Sequence, residues 1–384
     1  MTRVILVTHE TEHPALYGAA AALVAAREGG RVFWLPARFD FDRHPDAAQH
    51  VADEGALIPS GLIWADRLTG QPARPLADRA DEAVAVVPVH PAFLADGDAV
   101  ARLLAAGAEE KTVRLDAGRF IDEQGLAIGW RDASGRVMRE QPEGVDPSGL
   151  VFAIAGPERQ FLETCPAPLA ALADAIDAEA PGSKIRFLDP RQLPSAPLDG
   201  IDGILLPGGS EMSSVPGQIA LARAARMQAL PIVGLCLGMQ SMSTAVAREL
   251  SGWEDTDMAE AAPAASRHSF IRIETGEYRL GLRRTRLSTG SRLARILGAE
   301  SDIACNHRYR LAPALHAGLA SRGVRVSALG GAPEQDIADG IEAEEGFYMG
   351  MQGHPELASR PGHPHPLIRA FVAETLKYAR DRRA

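Results

Sequence analysis

Short apolar runs recur along the chain, separated by Ala- and Leu-rich stretches of helical length. Val4-Ile5-Leu6-Val7 and Val32-Phe33-Trp34-Leu35 read as buried strands, and Pro14 to Arg27 between them as a helix stopped by Gly29-Gly30. This βαβ opening favours a parallel sheet. Val84-Ala85-Val86-Val87 adds a third strand, followed by a helix from Asp96 to Ala106 with an acidic start. Thr112 to Met138 then alternates like β-hairpins, with turns at Glu123-Gln124-Gly125 and Asp132-Ala133-Ser134-Gly135. Residues 38 to 80, rich in Pro, Asp and Arg, carry only weak periodicity and predict no element.

Glu140 to Gly149 is polar, holds two prolines and two glycines, and reads as a linker. It divides the 384 residues into two domains of ordinary size, 1–147 and 148–384. After it the βα rhythm resumes. Strands are expected at Leu150–Ile154, Lys184–Leu188 and Ile201–Leu206, and helices at Pro168–Glu179, Pro216–Ala229 and Leu367–Arg380. Leu230-Pro231-Ile232-Val233 is a further buried strand. It runs into Gly234-Leu235-Cys236-Leu237-Gly238-Met239-Gln240 and then the helix-forming Ser241 to Leu250. A thiol on a tight strand-to-helix turn, with a glycine two residues to either side, is the nucleophile-elbow pattern with Cys in place of Ser. The glycines are expected to let the backbone turn sharply. The following helix presents its N-terminus to the sulfur, where negative charge is favoured. The plain alternative is a buried Cys between packing glycines.

Composition narrows the field. A net charge of −10 argues against a nucleic-acid-binding surface. Cys165, Cys236 and Cys305 are too few and too scattered for a disulfide framework or a zinc cluster. No signal-peptide pattern and no membrane-length apolar run are present, so a soluble cytoplasmic protein is expected, with neither nucleic acid nor membrane as partner. His9-Glu10-Thr11-Glu12-His13 matches His-Glu-x-x-His, but Pro14 biases His13 away from the helix that zinc ligation needs. A ligand or partner loop after the first strand of a parallel sheet, or a plain solvated loop, fits it better. His363 and His365 read as a turn before the C-terminal helix. No metal site is expected.

A thiolate nucleophile needs a general base and a group that orients it. Among 11 histidines, His354 in Gly353-His354-Pro355-Glu356 stands out, because a carboxylate two residues on at a strand end projects to the same side. Leu206-Pro207-Gly208-Gly209, the Cys236 elbow and His354-Pro355-Glu356, in this order and spacing, resemble a class I glutamine amidotransferase domain, in particular that of CTP synthase. Glu260, Arg279-Leu280-Gly281, His307-Arg308-Tyr309, Ser359, Pro361 and His365-Pro366-Leu367 extend the likeness over residues 148 to 384. The resemblance implies a flavodoxin-like open α/β sheet preceded by a smaller α/β domain. It implies a Cys236–His354–Glu356 triad, with Gly209 and Leu237 N–H groups as oxyanion hole and Gly208, Gln240, Glu260 and Arg308 around L-glutamine. Glutamine would be hydrolysed to glutamate and ammonia for an unidentified acceptor.

Two departures from the family's pattern stand out. An aromatic-Gly-x-Arg-Gly lid, implicated in GTP activation, is replaced by Ser210-Glu211-Met212-Ser213-Ser214, and the Glu after His-Arg-Tyr is Arg310. Residues 1–147 contain no Gly-Lys dipeptide and so no phosphate-cradling loop. No cofactor is expected in the glutaminase domain, and ATP with Mg only if a partner supplies it. The acceptor-activating site is expected on a partner synthetase or ligase, or in residues 1–147, and homo-oligomerisation stays open. Two rival readings remain: a γ-glutamyl hydrolase that channels nothing, and a catalytically silent regulatory protein of the same fold.

Overall fold

A computed structural model describes residues 2–47, 50–51, 57–142, 149–331 and 335–383. Contacts divide the chain into two units. The first is Met1–His50, Leu57–Gly144 and Arg159–Ala170; the second is Val51–Ala56, Val145–Glu158 and Ala171–Ala384. Most of the expected linker, residues 143–148, lies outside the described residues, as does the expected boundary at 147/148.

The first unit is built on a five-stranded parallel sheet in the order Arg74–Pro75, Arg31–Trp34, Val84–Val89, Arg3–Thr8, Glu109–Thr112. Its central strands are the apolar runs of the sequence, and Ile5, Leu6, Val32, Phe33, Ala85, Val86 and Val87 are fully buried. The expected helix from Pro14 breaks in two. Pro14–Leu16 is a 3-10 turn, Gly18 adopts φ 84°, and the α-helix runs Ala19–Glu28, ending at the left-handed Gly29. A Cβ on Gly18 would also come within 2.7 Å of Leu62 Cδ2. The helix expected from Asp96 shortens to Ala99–Ala105. The hairpin region forms a four-stranded antiparallel sheet, Arg114–Asp116, Arg119–Ile121, Ala127–Arg131 and Val137–Met138. Asp122 Oδ1 accepts from the Gln124 and Leu126 N–H groups, and Asp132 Oδ1 from those of Ser134 and Arg136. These are the two expected turns, each closed by an Asp side chain.

The unplaced residues 38–80 contain the helix Ile63–Thr69 and the 3-10 turn Leu76–Asp81. Trp64 anchors them: it is fully buried and its Nε1–H donates to the Ala15 carbonyl at 2.7 Å. Arg159–Ala170 belongs to the first unit through polar bonds. Gln160 Nε2 donates to Asp46 Oδ2 at 2.7 Å, and His44 Nδ1 bonds Thr164 Oγ1 at 3.1 Å.

The second unit is a nine-stranded sheet ordered Lys184–Leu188, Val151–Ala155, Gly203–Leu206, Ile232–Leu235, Tyr348–Met351, Ile337–Ala343, Val324–Gly330, Arg279–Leu287, Glu300–His307. The first five are parallel and the rest antiparallel. Helices Val215–Met227, Leu237–Ala247 and Pro366–Arg383 belong to this βα rhythm, as does helix Ala167–Glu179 from Ala171 onward. A small ribbon of Asp257–Met258, His268–Arg272 and Tyr309–Leu311 adds to it. Ile232–Leu235 lies inside the sheet between Gly203–Leu206 and Tyr348–Met351, buried at every residue, so the elbow that follows it stands on a strand paired on both sides.

Candidate active site

The elbow is made by Cys236 itself. It adopts φ 49° and ψ −109° between the strand Ile232–Leu235 and the helix Leu237–Ala247. A positive φ on a non-glycine residue is strained and persists where surrounding packing dictates it. Here the Cys236 N–H donates to the Met351 carbonyl at 2.8 Å, and its carbonyl accepts from Gln240 N–H at 3.1 Å. The flanking glycines do a different job from the one expected: they give clearance rather than the turn. A Cβ on Gly234 would lie 2.4 Å from Met242 Sδ, and one on Gly238 2.1 Å from the Leu206 carbonyl oxygen. Larger residues at either position would push strand and helix apart.

His354 and Glu356 follow the neighbouring strand, Tyr348–Met351, and both are buried. Pro355 starts a 3-10 turn, Pro355–Ala358, that folds the carboxylate back onto the ring. His354 Nδ1–H donates to Glu356 Oε1 at 2.8 Å, which leaves Nε2 as the ring nitrogen available to a thiol, and the ring lies near enough to Cys236 for the sulfur to act on its pKa. Burial disfavours charge on His354, but Glu356 and the sulfur outweigh it and hold the imidazole pKa well above its ordinary value. Gly208 completes the wall: a Cβ there would sit 2.8 Å from His354 Cε1 and 3.3 Å from Cys236 Cβ. Gly209 beside it is half-buried, and Leu237 is the first residue of the elbow helix.

Gln240, one helical turn beyond Cys236, is buried with its Oε1 unpartnered. Glu260 and Arg308 lie at the surface. The Glu260 carboxyl titrates above its usual range through desolvation, with Arg308 pulling the other way. The Arg308 guanidinium lies 3.7 Å from the centroid of the Tyr278 ring, and Tyr278 in turn feels the charge of Cys236. The structure thus bonds His354 to Glu356 and gathers both beside Cys236 and Gly208, and sets Glu260 and Arg308 within electrostatic reach of each other.

The class-I glutamine amidotransferase family model matches residues 183–373. CTP synthase of Chloroflexus aggregans is 36% identical over 194 residues, covering 48% of this chain and 35% of that protein. CTP synthase of Thermobifida fusca is 32% identical over 199 residues, covering 47% and 36%. The glutaminase domain of the Trypanosoma brucei enzyme, solved with bound acivicin, superposes with a TM-score of 0.54 at 24% identity, over 59% of this chain and 94% of that one. Residues 183–373 form a class-I glutamine amidotransferase domain. The chain spans about a third of the length of the CTP synthases it matches.

Both departures from the family's pattern have a structural counterpart in the amidotransferase domain. In the segment Ser210–Ser214 that replaces the lid, Glu211 accepts from Arg191 Nη1 at 2.8 Å and from Ser213 Oγ at 2.9 Å, and Met212–Ser214 is a 3-10 turn leading into Val215–Met227. Arg310 is buried, its Nε is unpartnered, and its ion pair is with the exposed Glu274 at 3.4 Å. Cys165 and Cys305 are buried thiols, and burial pushes Cys305 up to about 12.

Among the described residues no three His, Cys, Asp or Glu side chains come together to hold a metal. His9 and His13 precede the 3-10 turn at Pro14 and lie on no helix, so the zinc-site pattern is not formed. His365 Nδ1 accepts from Leu367 N–H at 3.2 Å, at the start of the C-terminal helix. No described helix is long and apolar enough to cross a membrane.

Gln352 and Asp339 escaped the sequence reading, as did the bonds that Arg279 and His307 make. Gln352 reaches Cys236 Sγ with its Nε2 at 3.8 Å, and its position two residues before His354 in an extended segment was the available signal. Behind the site, Arg279 is bonded bidentately to Asp339, both fully buried, and His307 accepts from Arg279 at 3.4 Å. Asp339 is, with Glu342, one of two acids in the buried strand Ile337–Ala343, and a buried acid requires such a partner.

Proposed function

We propose that the amidotransferase domain is a working glutaminase with Cys236, His354 and Glu356 as its triad. The observation that carries this is the buried bond of His354 Nδ1 to the Glu356 carboxylate, beside an elbow thiol near enough to raise the pKa of the ring. A cationic imidazole held against sulfur is the form that can act as the acid in the first half-reaction. Sγ of Cys236 attacks the side-chain amide carbon of L-glutamine. The developing oxyanion is held by the N–H groups of Gly209 and Leu237, each such donor worth ~10²–10³ in rate. His354 Nε2–H passes its proton to the amide nitrogen, the C–N bond breaks, and ammonia leaves a γ-glutamyl thioester. Neutral His354 then takes a proton from water, whose oxygen attacks the thioester. Glutamate departs and the thiolate–imidazolium pair is restored. Glu356 keeps Nδ1 protonated and the ring aligned throughout. Gln240, Glu260 and Arg308 hold the amino-acid end, supplying an anion for its ammonium and a cation for its carboxylate.

The ammonia goes to an acceptor activated on a partner synthetase or ligase, or on the first unit. Removing the nucleophile tests this. Cys236→Ala abolishes glutamate release from glutamine, whereas ammonium salts in place of glutamine still support the overall reaction in the presence of partner and acceptor. Glutamate release that survives in Cys236→Ala contradicts the mechanism. Failure of ammonium to replace glutamine favours the γ-glutamyl hydrolase reading.

A further inference from the structure

We propose that Tyr278, fixed by Asn306, is the platform that aims Arg308 at the α-carboxylate of the substrate, and so determines specificity for amides that carry one; this rests on the glutaminase reading above. Arg308 follows the strand Glu300–His307, and Tyr278 immediately precedes the adjacent strand Arg279–Leu287. The pairing of Leu280 with Asn306 brings the two strand ends together. Tyr278 Oη donates to Asn306 Oδ1 at 2.5 Å, which fixes the ring. The Arg308 guanidinium carbon then lies 3.7 Å from the ring centroid, a stacking distance, while its main-chain carbonyl accepts from Ile273 N–H at 2.9 Å.

Among the described residues no carboxylate pairs with Arg308. A guanidinium has all its N–H donors in its own plane. Stacking on an aromatic face therefore holds that plane without consuming a donor, and leaves the fork free for a planar, bidentate ligand such as a carboxylate. The ring that sets this plane is near enough to Cys236 to feel the sulfur's charge. An amino acid whose carboxylate sits on Arg308 is thereby placed with its side chain toward the thiol. An aliphatic residue at 278 would leave Arg308 a long, exposed side chain sampling many rotamers.

The test separates binding from chemistry. In Tyr278→Leu, KM for glutamine should rise about five- to ten-fold, the size expected for a lost cation–π contact, with kcat changed less than about two-fold. Tyr278→Phe keeps the ring but loses the anchor, and Asn306→Ala does the same from the other side. Both should raise KM about two- to three-fold. Relative to wild type, turnover of 4-aminobutanamide, which is glutamine without its α-carboxylate, should be insensitive to residue 278. Alkylation of Cys236 by iodoacetamide, which needs no carboxylate contact, should proceed at the wild-type rate in all three variants. An unchanged KM in Tyr278→Leu overturns the inference. So does a parallel fall in kcat and alkylation rate, which marks a merely structural role. Wild-type protein that does not turn over glutamine, or turnover that survives Cys236→Ala, overturns the glutaminase reading itself.

Discussion

Both units carry histidines just beyond the carboxyl ends of parallel strands, yet the two sets are held in opposite charge states. His9 follows Arg3–Thr8 and His90 follows Val84–Val89, in adjacent strands of the first sheet. Each folds its Nδ1 onto its own backbone, accepting from Thr11 N–H at 3.1 Å and Ala92 N–H at 3.2 Å. Burial lowers both pKa values, that of His9 to about 4, and no carboxylate approaches closely enough to reverse this. His354 is buried at least as deeply, but Glu356 and Cys236 raise it. The difference lies in the partner and in the space made for it. Around Cys236, glycines at 208, 234 and 238 remove side chains where strand, helix and histidine meet. The segment from His9 to Tyr17 has no glycine at all. A histidine at a strand end is held in its charged form where a carboxylate and a nearby thiol come with it.

The contrast can be broken most severely at the carboxylate. Glu356→Gln removes the charge that holds His354 protonated and aligned, and should lower kcat for glutamine about 10²–10⁴-fold. A variant within ten-fold of wild type would show that Glu356 is only structural. Next come the groups proposed to hold the amino-acid end. Arg308→Ala and Glu260→Ala should each weaken glutamine binding by ~2–5 kcal/mol, since each leaves the opposite substrate charge unpaired. Unchanged glutamine affinity in both would refute their assignment.

Stability against pH sharpens the comparison from the other side. His354 has a raised folded pKa, so its contribution is fully present below the unfolded value and is lost as pH rises through the folded one. His9 has a folded pKa lowered from 6.5 to about 4, so the unfolded chain takes up a proton first. Its contribution is present above pH 6.5 and is lost as pH falls toward 4, by about 3 kcal/mol at most. Thermal unfolding followed from pH 7 to pH 4 should show an acid loss that His9→Asn reduces. An identical acid slope in the variant would contradict the neutral, buried assignment. The smallest expected effect is nil: GTP should leave glutamine turnover unchanged, because the Arg-containing lid is replaced by Ser210–Ser214. A saturable activation would contradict that.

What could be read before the structure was whatever one local feature determines. Apolar runs gave the strands, the glycine-ended runs Glu123-Gln124-Gly125 and Asp132-Ala133-Ser134-Gly135 gave the hairpin turns, and Gly-x-Cys-x-Gly with His-Pro-Glu gave the elbow and the histidine–carboxylate pair beside it. What could not be read depends on pairs distant in sequence. Residues 38–80 are organised by Trp64 on the Ala15 carbonyl. Arg159–Ala170 joins the first unit through Gln160 on Asp46 and Thr164 on His44. Arg279 finds Asp339 across Gly330, where a Cβ would lie 1.9 Å from Asp339 Oδ2. The Gly234 and Gly238 assignment was right in place and wrong in reason, because sequence shows a glycine but not which neighbour it makes room for.

The central claim is that Cys236 alone, among three buried thiols, is the nucleophile. A glutamine analogue bearing an electrophilic side chain, followed by peptide mapping, tests it most directly. The account predicts one adduct per chain, on Cys236, formed in competition with glutamine and lost in Cys236→Ala, with Cys165 and Cys305 unmodified. An adduct on either of those thiols at a comparable rate, or none on Cys236 in folded protein, would contradict it.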